Sequence, residues 1–214
     1  MQIRLEDAAA LAEVSYDVTR LTSPGVERSC SHPDVQAHML SNGVLLLPGS
    51  NSVRDYLRYN LRPLNLGGVR LRLMDSERAP GASGTFWHQG FLAYAKVVFD
   101  WLAEENMRPE AIIGHSLGAA AAQILSKSYA VPGIGFAAPR PKFVRGRLEH
   151  DDKCLVVNRS DDPVPRLPPE FHHMGTARLV TPARPSLFTS HKMRAYRDVL
   201  EPAQSDGIVP AQWP

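Results

Sequence analysis

The spacing of apolar residues changes along the chain, and the alternation predicts an α/β protein. Residues 5–16 and 91–106 place apolar side chains at helical spacing, whereas residues 44–47 form an unbroken apolar run. Such a run is typical of a strand buried on both faces of a sheet. Further short apolar runs at 134–137 and 155–158 predict two more strands. We therefore expect a mostly parallel central sheet with helices on both faces.

Turn signals divide these elements. Asn42-Gly43 lies between the apolar runs 35–40 and 44–47 and predicts a hairpin. The pattern also predicts an elbow strand from residue 111 with a helix to about residue 129. The remaining predictions are a loop over 17–33, a helical segment over 52–62, a strand over 69–74, a flexible connection over 79–83 and a final helix over 191–200.

The most informative segment is Gly114-His115-Ser116-Leu117-Gly118, which follows a strand-like run and precedes an alanine-rich helix. A Gly-x-Ser-x-Gly motif in that position is a nucleophile elbow, in which a tight turn presents the serine hydroxyl at a helix N-terminus. The two glycines let the strand and helix backbones pass closely because they carry no Cβ. Ser116 is therefore the candidate nucleophile; the alternative is a plain turn with a buried serine.

A serine nucleophile needs a histidine base and an acid, which in the α/β hydrolases follow it in the order Ser, Asp or Glu, His. The loop after the strand at 155–158 carries Asp161 and Asp162, and we prefer Asp162. Of the later histidines, His172 and His173 are too near that loop to come from a separate element. His191, before the final helix, is the candidate base.

An oxyanion hole requires two hydrogen-bond donors. The backbone N–H of Leu117, the residue after the nucleophile, is one candidate. The second should come from the loop Leu47-Pro48-Gly49-Ser50, where Ser50 offers an N–H and a hydroxyl.

Together these segments resemble the class 3 lipase family, the fungal-lipase-like branch of the α/β hydrolases. The resemblance covers about residues 5–197 and is carried by six segments in the family's order: 45–56, 87–91, 114–118, 135–140, 162–169 and His191 with Tyr196. It implies the α/β-hydrolase fold, a triad of Ser116, Asp162 and His191, and an oxyanion hole of Ser50 and Leu117. It places the acid directly before Pro163-Val164-Pro165, at Asp162.

The resemblance also implies a lid, here residues 51–66. This segment carries Arg54, Arg58 and Arg62 among its apolar residues, so a soluble carboxylesterase or a lysophospholipase-like enzyme is as good an interpretation as a true lipase. We expect a lipid or small-molecule ester substrate, with transient contact to a lipid interface as one option. Whether the lid moves and how many copies associate are left open.

Composition and charge limit the classes of protein to which the chain can belong. The chain of 214 residues has a net charge of +2 and is 43% hydrophobic, which fits one domain over 1–214, with 201–214 a C-terminal strap or tail. The chain has no basic block with interleaved aromatic residues, so the sequence does not indicate binding to nucleic acid. The acidic N-terminus is unlike a signal peptide, and no apolar stretch reaches the roughly 18 residues of a membrane span. We therefore expect a soluble, cytoplasmic protein, with export by a non-classical route left open.

Two cysteines, Cys30 and Cys154, are too few for a disulfide scaffold and lack metal-ligand spacing, so we expect no metal and no cofactor. Two rival functions stay open. One is another acyl-transfer hydrolase, such as a thioesterase, amidase or peptidase, since the triad serves all of these. The other is a non-catalytic interaction module on a hydrolase scaffold.

Overall fold

A seven-stranded sheet organises the part of the chain that the structure describes. The structure is a computed structural model, and it describes residues 1–30, 32, 35–49, 64–66, 69–71, 77–186 and 189–214. The strands are β1 (Ile3–Arg4), β2 (Val26–Ser29), β3 (His38–Leu40), β4 (Val44–Leu47), β5 (Leu64–Leu66), β6 (Val69–Leu71), β7 (Arg78–Pro80), β8 (Phe86–His88), β9 (Ala111–His115), β10 (Gly133–Phe136), β11 (Cys154–Arg159), β12 (Thr176–Val180) and β13 (Gln212–Trp213). The helices are α1 (Leu5–Val14), α2 (Gln89–Glu104), α3 (Leu117–Tyr129), α4 (Met193–Arg197) and α5 (Leu200–Ser205).

The sheet has the strand order β12-β11-β10-β9-β4-β3-β2. From β12 to β4 all neighbours run parallel, and β3 and β2 are added antiparallel at one edge. The predicted hairpin at Asn42-Gly43 joins β3 to β4, with Met39 opposite Leu45. The predicted α/β fold class, a mostly parallel central sheet with helices on both faces, is confirmed.

Helices cover both faces of the sheet. Alternate residues of each strand point to opposite faces, so the side chains of one strand divide between two cores. In β4, Leu45 and Leu47 join the core formed with α2 and α3. Val44 and Leu46 join the second core, formed with α1, α4 and α5. A strand between two apolar layers has no polar face, which explains its unbroken apolar run.

Several sequence predictions are corrected. The predicted loop over 17–33 contains β2, whose side chains are mostly exposed at the sheet edge and so carry no buried pattern. The predicted flexible connection over 79–83 begins in β7, which pairs with β8. Strand β12 was not predicted, because most of its side chains are exposed.

The predicted final helix over 191–200 begins at Met193 and is interrupted before Leu200. A continuous helix would require a bond from the backbone N–H of residue 202 to the carbonyl of residue 198. Pro202 has no N–H, so the chain forms two short helices instead.

Some predictions fall outside the described residues. These are Ser50, the helical segment 52–62 and nearly all of the candidate lid 51–66, including its three arginines. The described backbone resumes with β5, which pairs antiparallel with β6. At the C-terminal end, β13 pairs with β1. Among the described helices, none has the length and apolar character to cross a bilayer.

Candidate active site

The turn between β9 and α3 holds Ser116 in a conformation that side chains rarely adopt, with φ 55° and ψ −123°. Tight backbone packing fixes this turn. A Cβ added to Gly118 would lie 2.0 Å from the carbonyl oxygen of Leu47, and one added to Gly114 would lie 2.4 Å from the Gly118 carbonyl oxygen. Only glycine fits at either position, so the motif is a steric requirement of this fold.

Three side chains predicted from the sequence meet at this turn. Nε2 of His191 lies 2.8 Å from Oγ of Ser116, and Nδ1 of His191 lies 2.8 Å from Oδ2 of Asp162. A carboxylate only accepts hydrogen bonds, so Nδ1 of His191 carries the proton and Nε2 is free to accept one from the serine. The Asp162 side chain is fully buried, whereas His191 is 18% exposed. The arrangement can therefore move a proton from Ser116 to a site that a substrate can reach.

Asp162 is held by two further donors. The Tyr196 hydroxyl donates to its Oδ2 at 2.8 Å, and the backbone N–H of Val164 donates to its Oδ1 at 3.0 Å. The Tyr196 oxygen in turn accepts the backbone N–H of Arg159. The carboxylate is thus fixed in one orientation, with one lone-pair direction of Oδ2 aimed at the histidine.

The neighbouring Asp161 has a different set of partners. It accepts two hydrogen bonds from the guanidinium of Arg159, at 3.0 and 2.9 Å, and a third from the backbone N–H of Ser186. Burial alone would raise the pKa of Asp161, and these bonds bring that pKa below its usual value. Since Ser186 lies on the turn that leads to His191, the pair ties this turn to the end of β11.

Of the two predicted oxyanion donors, the structure describes one. Leu117 is the first residue of α3, and the first N–H groups of a helix have no partner within it. Gly49, the last described residue before Ser50, packs directly on the nucleophile. A Cβ added at Gly49 would lie 2.8 Å from the Ser116 Cβ and 2.7 Å from the Tyr16 hydroxyl.

Two polar side chains beside the serine, the buried His115 and the partly exposed Tyr16, were not predicted from the sequence. His115, inside the elbow motif, contacts the Tyr16 hydroxyl through Nδ1 at 2.6 Å and the His191 carbonyl oxygen through Nε2 at 3.0 Å. The Tyr16 oxygen also accepts the Gly49 N–H at 2.9 Å. The motif position of His115 was the available signal; no local signal singled out Tyr16, which lies just after the end of α1.

The other sequence candidates lie elsewhere. His173 contacts the Pro165 carbonyl oxygen, and desolvation, followed by the charge of Arg140, lowers its pKa to about 4. Cys30 and Cys154 are free thiols, and burial raises the pKa of Cys154 to about 12. In the described ranges no three His, Cys, Asp or Glu side chains are grouped to hold a metal ion.

Comparison with known proteins places the fold among lipases. No protein-family model and no curated protein sequence matches the chain. Among solved structures, it is similar to the nonglycosylated LIP2 lipase of Yarrowia lipolytica, with a TM-score of 0.58 and 15% identity over 89% of this chain and 86% of that one. The Rhizomucor miehei lipase in its propeptide complex gives a TM-score of 0.54 and 18% identity over 84% and 70%. A triacylglycerol lipase from Penicillium expansum gives a TM-score of 0.50 and 16% identity over 83% of this chain and 78% of that one. The chain therefore has a lipase-like hydrolase fold, as the resemblance implied.

Proposed function

We propose that this chain, as one catalytic domain over 1–214, is a serine carboxylic-ester hydrolase. The observation that carries the proposal is the continuous hydrogen-bonded chain from Ser116 through His191 to Asp162, with both contacts at 2.8 Å. It stands at the N-terminus of a helix, where the free N–H groups and the helix dipole favour negative charge. A structural serine would gain nothing from a partly exposed histidine backed by a buried carboxylate.

The proposed reaction begins when Nε2 of His191 takes the proton of Ser116, whose oxygen attacks the ester carbonyl carbon. The resulting oxyanion is stabilised by the Leu117 N–H and by Ser50. Collapse of the intermediate breaks the ester bond as His191 gives its proton to the leaving alcohol, leaving an acyl-enzyme. Water then repeats the sequence, and the acid is released with Ser116 regenerated. Asp162 stays ionised and stabilises the imidazolium.

The substrates that we assign are acyl-glycerol, phospholipid or other lipid-like esters. The support is the likeness of the fold to three proteins named as lipases. The triad is compatible with all of these esters, because it carries no preference for a head group. Residues 51–66 are the candidate lid in this proposal. The protein would make transient contact with a lipid interface.

The test compares initial rates on p-nitrophenyl esters of increasing acyl length for the wild type and Ser116→Ala. We expect Ser116→Ala to lose at least about 10³-fold of kcat while keeping its melting temperature, because the change removes only one hydroxyl. His191→Ala should be comparably severe. A Ser116→Ala protein with substantial turnover would overturn the proposal.

The same series separates the two kinds of esterase. A rate maximum at short, monomeric esters indicates a soluble esterase with a small pocket. A maximum at long esters, with a jump above the micellar limit, indicates a lipase with a working lid.

A further inference from the structure

We propose that Tyr16 and His115 are positioning residues that connect the two loops on either side of Ser116. The inference rests on the proposed ester hydrolysis, because it assigns these residues a role in that reaction. One of the connected loops follows β4 and contains Gly49. The other is the turn that contains His191.

The polarity of this connection is fixed by its two ends. The backbone carbonyl of His191 can only accept, so Nε2 of His115 must donate to it. In a neutral imidazole the other nitrogen, Nδ1, then accepts a hydrogen bond from the Tyr16 hydroxyl. The Gly49 N–H can only donate, and it donates to the remaining lone pair of the Tyr16 oxygen. Every donor and acceptor between the two loops is matched.

His115 is held in the neutral form that this polarity requires. Burial, and secondarily the nearby charge of His191, bring the pKa of His115 well below its usual value. The two imidazole rings lie 5.1 Å apart. Both ring nitrogens of His115 are already hydrogen-bonded, so neither is open to take the proton of the serine.

The two ends of the connection reach the nucleophile and the base: one end lies against Ser116, and the other holds the backbone of His191. At one end Gly49 packs against the Ser116 Cβ, and its N–H is committed to Tyr16 and so does not serve the oxyanion. At the other end His115 holds the backbone from which the base projects. Catalytic groups must be held to within fractions of an ångström, and locked supporting side chains provide this. Tyr16 and His115 thus set the distance between the base and the oxyanion side.

Tyr16→Phe breaks the connection with the least disturbance. It leaves the Gly49 N–H and Nδ1 of His115 without partners. We expect kcat to fall about tenfold and KM to stay within about twofold, since the ester touches neither group. His115→Leu removes both contacts and should lower kcat further. His115→Gln can still donate to the His191 carbonyl and should recover part of that loss.

Ser126→Ala is the matched control. It removes a buried hydroxyl that donates to the Val131 carbonyl at 2.7 Å, near the C-terminal end of α3. It should lower the melting temperature without changing kcat. If Ser126→Ala lost as much kcat as Tyr16→Phe, or if folded Tyr16→Phe kept the wild-type kcat, the positioning role would be wrong.

Amide hydrogen exchange separates this inference from the proposed function. Exchange of the Gly49 amide should be faster in Tyr16→Phe than in the wild type, whether or not any ester is hydrolysed. Unchanged exchange would overturn the connection itself. A wild type that is inert to esters, with the exchange result as expected, would remove the catalytic role and the proposed function together.

Discussion

Ser116 stands on a turn fixed by backbone packing, whereas His191 stands on a turn fixed by polar side chains. At the elbow, added Cβ atoms at Gly114 and Gly118 would lie 2.0–2.4 Å from backbone atoms, so the turn has one geometry. At the base, the restraints are hydrogen bonds: His191 donates to Asp162, His115 donates to the His191 carbonyl, and the Ser186 N–H donates to Asp161. The difference suggests that the nucleophile is positioned by shape and the base by electrostatics. The two should therefore fail in different ways.

The largest effect on activity in this comparison is expected at Asp162. Asp162→Asn keeps the shape but favours the wrong tautomer of His191, so kcat should fall on the order of 10³- to 10⁴-fold. Asp161→Asn is the matched control in the next position. It weakens the bond to Arg159 and should cost about 1–3 kcal/mol of unfolding free energy, with less than about tenfold in kcat. Steady-state rates and denaturant unfolding check both variants; equal losses of kcat would contradict the separation of roles.

Substitutions at the elbow should act mainly by lowering the stability of the fold. Gly118→Ala places a methyl group against the Leu47 carbonyl, which cannot move without shifting β4. We therefore expect the free energy of unfolding to fall by about 3 kcal/mol or more. Gly146→Ala is the control, because a Cβ there meets nothing within 4 Å and should be near neutral. Denaturant midpoints decide the matter. A Gly118→Ala protein as stable as Gly146→Ala would show that the packing at the elbow is not tight.

The smallest effect at neutral pH concerns His173, whose contribution to stability changes only as the pH falls below about 6.5. The pKa of His173 falls from 6.5 to about 4 on folding, so between these values the unfolded chain binds more protons. Stability should therefore decrease as the pH falls from about 6.5 to 4, by up to about 1.4 kcal/mol per pH unit for this group. His173→Gln should show a shallower dependence of unfolding free energy on pH. An unchanged slope would mean that His173 is not buried in neutral form.

The elbow was predictable from the sequence, whereas the restraints on the base were only partly so. The glycines and Ser116 are neighbours in the chain, and the unbroken apolar run of β4 reflects burial on two faces. The contact between Tyr16 and His115 joins residues 99 positions apart, and nothing local announces it. Asp161 and Asp162 differ mainly in the long-range partners they meet, so the residues alone gave only a preference for Asp162, and the family resemblance then placed the acid there. Strands β2 and β12 carry too few buried side chains to show a pattern.

The most direct measurement is covalent labelling with a fluorophosphonate, which reacts only with an activated serine, followed by intact-mass analysis and peptide mapping. We expect one adduct on the folded protein, located on Ser116, with no adduct on Ser116→Ala and slow labelling of Asp162→Asn. A folded protein that takes no adduct, or takes it on another serine, would contradict the assignment of Ser116, His191 and Asp162 as a catalytic triad.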